Sequence, residues 1–183
     1  MKKSLKPIPE KSELEILLTY SPDTGRFTWK ERSLSMFPSA PKGKTWNKQF
    51  AGKEAFTVKN GNGYLCGYIN YIKLYAHRVA WKMVHKDEPQ QIDHINGDRS
   101  DNRISNLRAA TFEVNSRNTA QRSDNTSGVT GVHWIKNDRK WKAVIVKDKR
   151  TILIGRFGNF DEAVAARKAA EIEFGYHPNH GRK

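Results

Sequence analysis

One stretch, residues 91–118, sets the terms for the rest of the chain. Residues 91–95 read as a short strand, Asn96-Gly97-Asp98 as a turn, and a polar loop runs to Asn106 before Leu107 returns to the core. Thr111 can cap a helix over 112–119. Asp93 and His94 are neighbours on the strand, so they point to opposite faces. That suits two linked jobs, a carboxylate ligand and an imidazole facing a reacting water. Asn115 falls near the middle of the expected helix, and Asn118 lies one turn further on the same face. Carboxylate and amide oxygens are hard donors, which suit Mg²⁺ or Mn²⁺ and leave places for water and phosphate.

The charge distribution agrees. Of 183 residues, 33 are Lys or Arg and 19 are Asp or Glu, a formal net charge of +14. The net is +6 over residues 1–60, +2 over 61–120 and +6 over 121–183. So basic a chain points to a polyanionic partner, nucleic acid first. A protein that only coats DNA has little reason to gather carboxylates at its centre, whereas a metal-dependent site does. No apolar run approaches the ~20 residues of a membrane span. The basic N-terminus lacks the apolar stretch of a secretory signal. Cys66 alone cannot form an internal disulfide or a Cys-rich zinc site, so no structural zinc and a reducing cytoplasm are expected.

Elsewhere, residues 10–20 read as a helix with Ser12 and Glu15 as a capping box. Asp23-Thr24-Gly25 turns into a strand at 26–30, and 31–50, with Pro38, Pro41 and Gly43, reads as a long loop. Strands follow at 54–59 and 64–75, joined by a turn at 60–63, and then a helix from Ala76 to Lys86. Residues 120–127 have linker composition. Strands at 130–135, 140–147 and 151–157 precede a helix at 161–174, and a polar, loose tail at 176–183 ends the chain.

The string Asp93-His94-Ile95-Asn96-Gly97, Asp101-Asn102-Arg103, Asn106-Leu107-Arg108 and Asn115-Ser116-Arg117-Asn118 resembles the HNH endonuclease motif, the ββα-metal unit, in its phage and intron homing variety. The preceding segment 76–81 resembles the one that leads into the motif in phage members. The resemblance implies Asp93 and Asn115 as metal ligands, His94 as general base, and Asn106 as the residue that holds the loop and orients His94. Mg²⁺ is the implied ion, with Mn²⁺ as a substitute. Arg103, Arg108, Arg117, Asn118 and Arg122 are candidate DNA contacts.

Residues 127–175 resemble the DNA-binding domain of plant Apetala and ethylene-response factors. The likeness rests on Gly128-Val129, Gly131-Val132, Trp141-Lys142-Ala143, Ile154-Gly155-Arg156-Phe157 and the helix from Asp161. It implies three antiparallel strands on one helix. Strand parity puts Trp141, Ala143 and Ile145 on one face and Lys142, Val144 and Val146 on the other, the face that meets DNA by the resemblance. His133, Trp134, Lys136, Arg139, Lys142, Arg150 and Arg156 are its candidate contacts. Val144 and Val146 stand where the plant family has charged base readers, so base specificity does not transfer.

The expectation is an α+β chain. A β-rich N-terminal region leads into a ββα-metal unit (residues 1–119, HNH core 76–119), followed by a linker (120–127), a sheet-on-helix domain (128–175) and a tail (176–183). The expected function is a Mg²⁺-dependent endonuclease on double-stranded DNA, a free-standing phage homing enzyme acting as a monomer in the cytoplasm of an infected bacterium, with no membrane partner. The alternatives are a DNA-binding regulator with a decayed nuclease, and a nonspecific or structure-specific nuclease. All three key residues, Asp93, His94 and Asn115, are present, which weighs against decay.

Overall fold

Short apolar runs broken by turns build small sheets, and the computed structural model shows four of them among the described residues. It describes residues 7–85, 87–148 and 150–182, leaving aside the side chain of Glu113. The architecture is α+β, with helices and small antiparallel sheets mixed along the chain. No helix among the described residues is long and apolar enough to cross a membrane. The chain divides into two compact units, Met1–Ala109 and Ala110–Lys183.

In the first unit, helix α1 (Lys11–Leu17) runs directly into strand β1 (Leu18–Ser21), which turns back as β2 (Arg26–Trp29). The capping box does not form. Ser12 already lies inside the helix, and the N-cap is Glu10 with no side-chain bond. The expected loop at 31–50 holds a 3₁₀ turn at Leu34–Met36 and helix α2 (Ala40–Phe50). Pro41 sits in the first helical turn, where its missing N–H costs nothing, so it starts the helix rather than breaking it.

Strand β3 (Glu54–Ala55) pairs with β2. Strands β4 (Val58–Lys59), β5 (Leu65–Ile69) and β6 (Ile72–Tyr75) form a second sheet. The expected strand 64–75 is in fact the β5–β6 hairpin. It breaks at Asn70-Tyr71, both at positive φ as a two-residue hairpin turn requires. Helix α3 (Ala76–Val84) follows, then β7 (Gln91–His94) paired with β8 (Leu107–Ala110). The core joins Leu14, Leu17, Leu18, Phe27, Val79, Ala80, Trp81, Ile92 and Leu107, so α1, the first hairpin, α3 and the β7–β8 pair share one apolar centre. Cys66 is a free, buried core residue, as its type suggests.

The second unit begins with the short helix α4 (Phe112–Ser116). Strands β9 (Val132–Ile135), β10 (Lys140–Lys147) and β11 (Arg150–Phe157) form an antiparallel sheet with β10 central. Helix α5 (Phe160–Glu173) packs on it through Val132, Ala143 and Ala163, with Trp141, Phe157 and Phe160 around them. Asn159 caps α5 by accepting from Asp161 N, and Gly175 at positive φ ends it.

The tail is not loose. Tyr176 Oη donates to Val146 O at 2.6 Å, Gly181 N to Thr119 O at 2.9 Å, and Arg182 Nη1 to Asn118 O at 2.7 Å. Residues expected as a linker join this network, with Gln121 N donating to Arg182 O at 2.8 Å. The two compact units meet at 109/110, ahead of the expected linker, which assigns α4 to the second unit.

Gly25, at φ +72°, is where the first hairpin meets the loop after β7. A Cβ there would lie 2.5 Å from Asn102 C and closer still to Arg103 N, both backbone atoms. Gly52 has φ +77° but nothing within 4 Å. Gly52→Ala therefore carries only the backbone cost, whereas Gly25→Ala must also displace the loop. Urea denaturation should show Gly25→Ala losing more stability than Gly52→Ala, with a total loss above ~1 kcal/mol.

Candidate functional site

Strand β7 delivers Asp93 and His94 to two different environments, both buried. Asp93 Oδ2 accepts from Arg108 Nε at 3.0 Å and Nη2 at 2.7 Å across the β7–β8 pair. Arg108, expected on DNA, is thus the cation that holds this carboxylate. His94 lies on the other side, among Tyr64, His77 and Asn102. Its ring centroid is 5.2 Å from that of His77, edge to face, and 5.8 Å from that of Tyr64. Tyr64 is 5.0 Å from His77 and also carries Arg99 over its face at 5.0 Å.

The group at the imidazole is Asn102, not Asn106. His94 Nε2 and Asn102 Oδ1 are 3.4 Å apart in a buried contact. Asn102 Nδ2 donates to Ser100 O at 3.2 Å, which turns Oδ1 toward the ring. Burial pushes the His94 pKa below its ordinary value, against the opposing pull of Asn102 and Asp93. The ring is therefore neutral near pH 7.

Asn106 does hold the loop. Its Oδ1 accepts from Asn96 N at 2.9 Å, its Nδ2 donates to Asp101 O at 2.8 Å, and its carbonyl accepts from Ile95 N at 2.9 Å. Asp98 accepts from Ser100 N and Oγ, and Asp101 from Asn96 Nδ2 and from Arg103 Nε and Nη2. Those bonds hold both carboxyls below the usual carboxylate range. Arg103, expected on DNA, is exposed and paired with Asp101.

Among the described residues, no group of three or more His, Cys, Asp or Glu side chains forms a metal cage. Asp93 fits a smaller role. Mg²⁺ is commonly held by one or two carboxylates, with water and substrate phosphate completing its shell. A carboxylate offers about four lone-pair sites, and Arg108 bonds to Oδ2.

Asn115 lies on α4 in the second unit. Asn118, expected on the same helical face, follows the helix end at Ser116 and is buried, with Arg182 donating to its carbonyl and Oδ1. That burial argues against a DNA contact. Arg117 stacks near Tyr176 at 5.8 Å, and Arg122 is exposed and paired with Asp124. His133, Trp134, Lys136, Arg139 and Arg150 are exposed, and Lys142 is half-buried. Arg156 is exposed but bonded to Asp138 at 2.6 Å.

Residues 74–117 match the family model described as HNH endonuclease. Protein 3.8 of Escherichia phage T7 is 31% identical to this chain over 74 residues, 39% of this chain and 61% of that protein. The chain thus spans about three fifths of that relative's length. No solved structure matches. The family match supports a DNA endonuclease in general, a class that works with a divalent metal ion.

His77 supplies a pH test. Burial, with the charges of His94 and Arg78 adding, pushes its pKa down to about 3, and its Nδ1 is buried without a partner. The neutral form is favoured in the folded state. Its stabilising contribution is whole above the ordinary pKa of 6.5 and is lost as pH falls from 6.5 toward 3. The loss amounts to at most ~1.4 kcal/mol per pH unit. NMR of the ring should show no titration between pH 8 and 5; a midpoint within that range would contradict this burial.

Proposed function

We propose that this chain is a Mg²⁺-dependent endonuclease that hydrolyses phosphodiester bonds in double-stranded DNA. The observation that carries the reading is His94, a buried neutral imidazole set by Asn102, His77 and Tyr64 and adjacent in sequence to the Arg108-held carboxylate of Asp93. With Asn102 Oδ1 accepting from Nε2–H, the lone pair of the ring lies on Nδ1. That atom takes the proton from the attacking water. Asp93 and Asn115 are the protein's ligands for the ion, Asn115 on the strength of the motif. When bound, Mg²⁺ supplies charge stabilisation at the scissile phosphate and the leaving 3′ oxygen. Arg108 holds and orients the Asp93 carboxylate.

The second unit is the reading module in this proposal. Its three-stranded sheet on one helix has the form implied by the likeness to the plant DNA-binding domains. His133, paired across the strands with Lys142, joins Lys142, Val144 and Val146 on the face opposite Trp141 and Ala143. This face, with exposed Lys136 in the β9–β10 turn, is the surface offered to the groove. Trp134 lies against Trp141 on the α5 side. Phosphate contacts position such a protein and base contacts specify the site. The finer reading is a free-standing phage homing enzyme acting as a monomer; the phage relative supports only its phage origin.

The test is relaxation of supercoiled plasmid. The parent should nick or cut with Mg²⁺ and stop in EDTA. His94→Ala should bind duplex normally and cleave ~10²–10⁴-fold more slowly, the usual loss for a general base. Asp93→Asn should lose cleavage in a way that excess Mn²⁺ partly restores. Cleavage by His94→Ala within tenfold of the parent would remove His94 as the base.

Binding offers an independent check on the second unit. His133→Ala with Lys142→Gln, two cross-strand partners on that face, should weaken affinity for duplex while leaving circular dichroism unchanged. Unaltered affinity would show that the sheet face is not the reader.

A further inference from the structure

Three cations in the first unit converge on an open cleft of about 660 Å³ between α2 and the segment at 31–34. They are Arg32, Lys44 and Lys48. None has a carboxylate within ion-pair distance among the described residues. Glu31 also lines the cleft, which leaves a local balance of two positive charges.

Arg32 is fixed before any ligand arrives. Its guanidinium carbon lies 4.0 Å from the Trp46 ring centroid and 5.1 Å from that of Trp29, and the two rings meet edge to face at 5.7 Å. The Asn47 side chain clamps its backbone, with Oδ1 accepting from Arg32 N at 3.0 Å and Nδ2 donating to Arg32 O at 2.8 Å. Gly43 lets the 3₁₀ turn close on α2, because a Cβ there would lie 2.8 Å from Leu34 Cδ2 and Phe37 Cδ2. The Nε–H of Arg32 is buried without an acceptor, and burial pushes this guanidinium below its ordinary pKa. A donor that has given up water and gained no partner gains from an incoming oxyanion.

We propose that Arg32, Lys44 and Lys48 form a binding cradle for successive phosphates of a DNA backbone, separate from the His94 site. Lys44 and Lys48 are one helical turn apart on the same face of α2, roughly 6 Å along the axis. A row of cations beside a stacked, planar guanidinium suits a row of phosphodiesters better than a single small ion. The cradle gives the N-terminal region a share in DNA binding that needs no base contact. It rests on DNA being the partner, as proposed above, but not on cleavage.

The test is duplex affinity by fluorescence anisotropy over a range of KCl concentrations. Each lost phosphate contact lowers the slope of log K against log[salt] by about 0.9. Lys44→Gln/Lys48→Gln, which changes two exposed side chains, should lower it by about 1.8, and Arg32→Gln by about 0.9. The control Lys53→Gln/Lys73→Gln removes the same charge from other exposed positions and should lower it less. The Arg32 Nε–H resonance should shift with duplex and not with an equal concentration of inorganic phosphate. A parental slope in the Lys44/Lys48 variant, or an equal drop in the control, overturns the cradle with DNA binding intact. An equal response to inorganic phosphate overturns the assignment to DNA. A parent that does not bind duplex removes the cradle and the proposed function together.

Discussion

Asn102 is the buried polar residue through which the first unit holds its site. It is 1% exposed, and every polar group it carries has to be matched inside the protein. Its carbonyl accepts from Tyr20 Oη at 2.7 Å, its Nδ2 is spent on Ser100 O, and its Oδ1 faces His94. Nearby, Ile104 N donates to Pro22 O at 3.0 Å, and Gly25 lets the hairpin turn come against the Asn102–Arg103 backbone. The β1–β2 hairpin is therefore the wall against which the 95–106 loop is pressed. The imidazole takes its orientation from that loop, so residues far upstream of the motif help to determine where its nitrogens lie.

Local sequence carried much of this. The strand at 91–94, the turn at Gly97, the re-entry at Leu107 and the three strands with one helix after residue 130 were all legible, because periodicity and turn residues act over a few positions. The boundaries of β10 were read to the residue. Helix α2 is not legible locally, because Pro and Gly read as breakers unless the helix start is known. The partnership of Tyr20 with Asn102 spans 82 positions and leaves no local trace. For the same reason the motif alone assigned His94 to Asn106, although Asn106 spends its amide on the loop backbone and Asn102 meets the ring.

His77 illustrates the limit from the other side. It packs on the buried face of α3. What it packs against is the His94 ring, in a cluster with Tyr64 and Tyr75 drawn from the β4–β6 sheet and its flanks. Two imidazoles in edge contact cannot both charge cheaply in so little water. Burial lowers the pKa of each ring, and the His94 charge lowers that of His77 further, so both are neutral near pH 7.

The carboxylates of the middle segment also read differently in three dimensions. Their concentration in a basic chain suggested metal ligation, yet Asp98 and Asp101 are consumed by Ser100, Asn96 and Arg103 in building the loop. Asp93 is balanced by Arg108. A bare cluster of negative charge beside His94 would repel the phosphate that a nuclease must admit and would raise the histidine's pKa. Asp98 and Asp101 still raise the His94 pKa, but burial outweighs them, and their bonds to backbone and side-chain donors stiffen the loop that carries Asn102. The hydrogen bonds that settle Asp98 and Asp101 are thus also the ones that place Asn102 against the His94 ring.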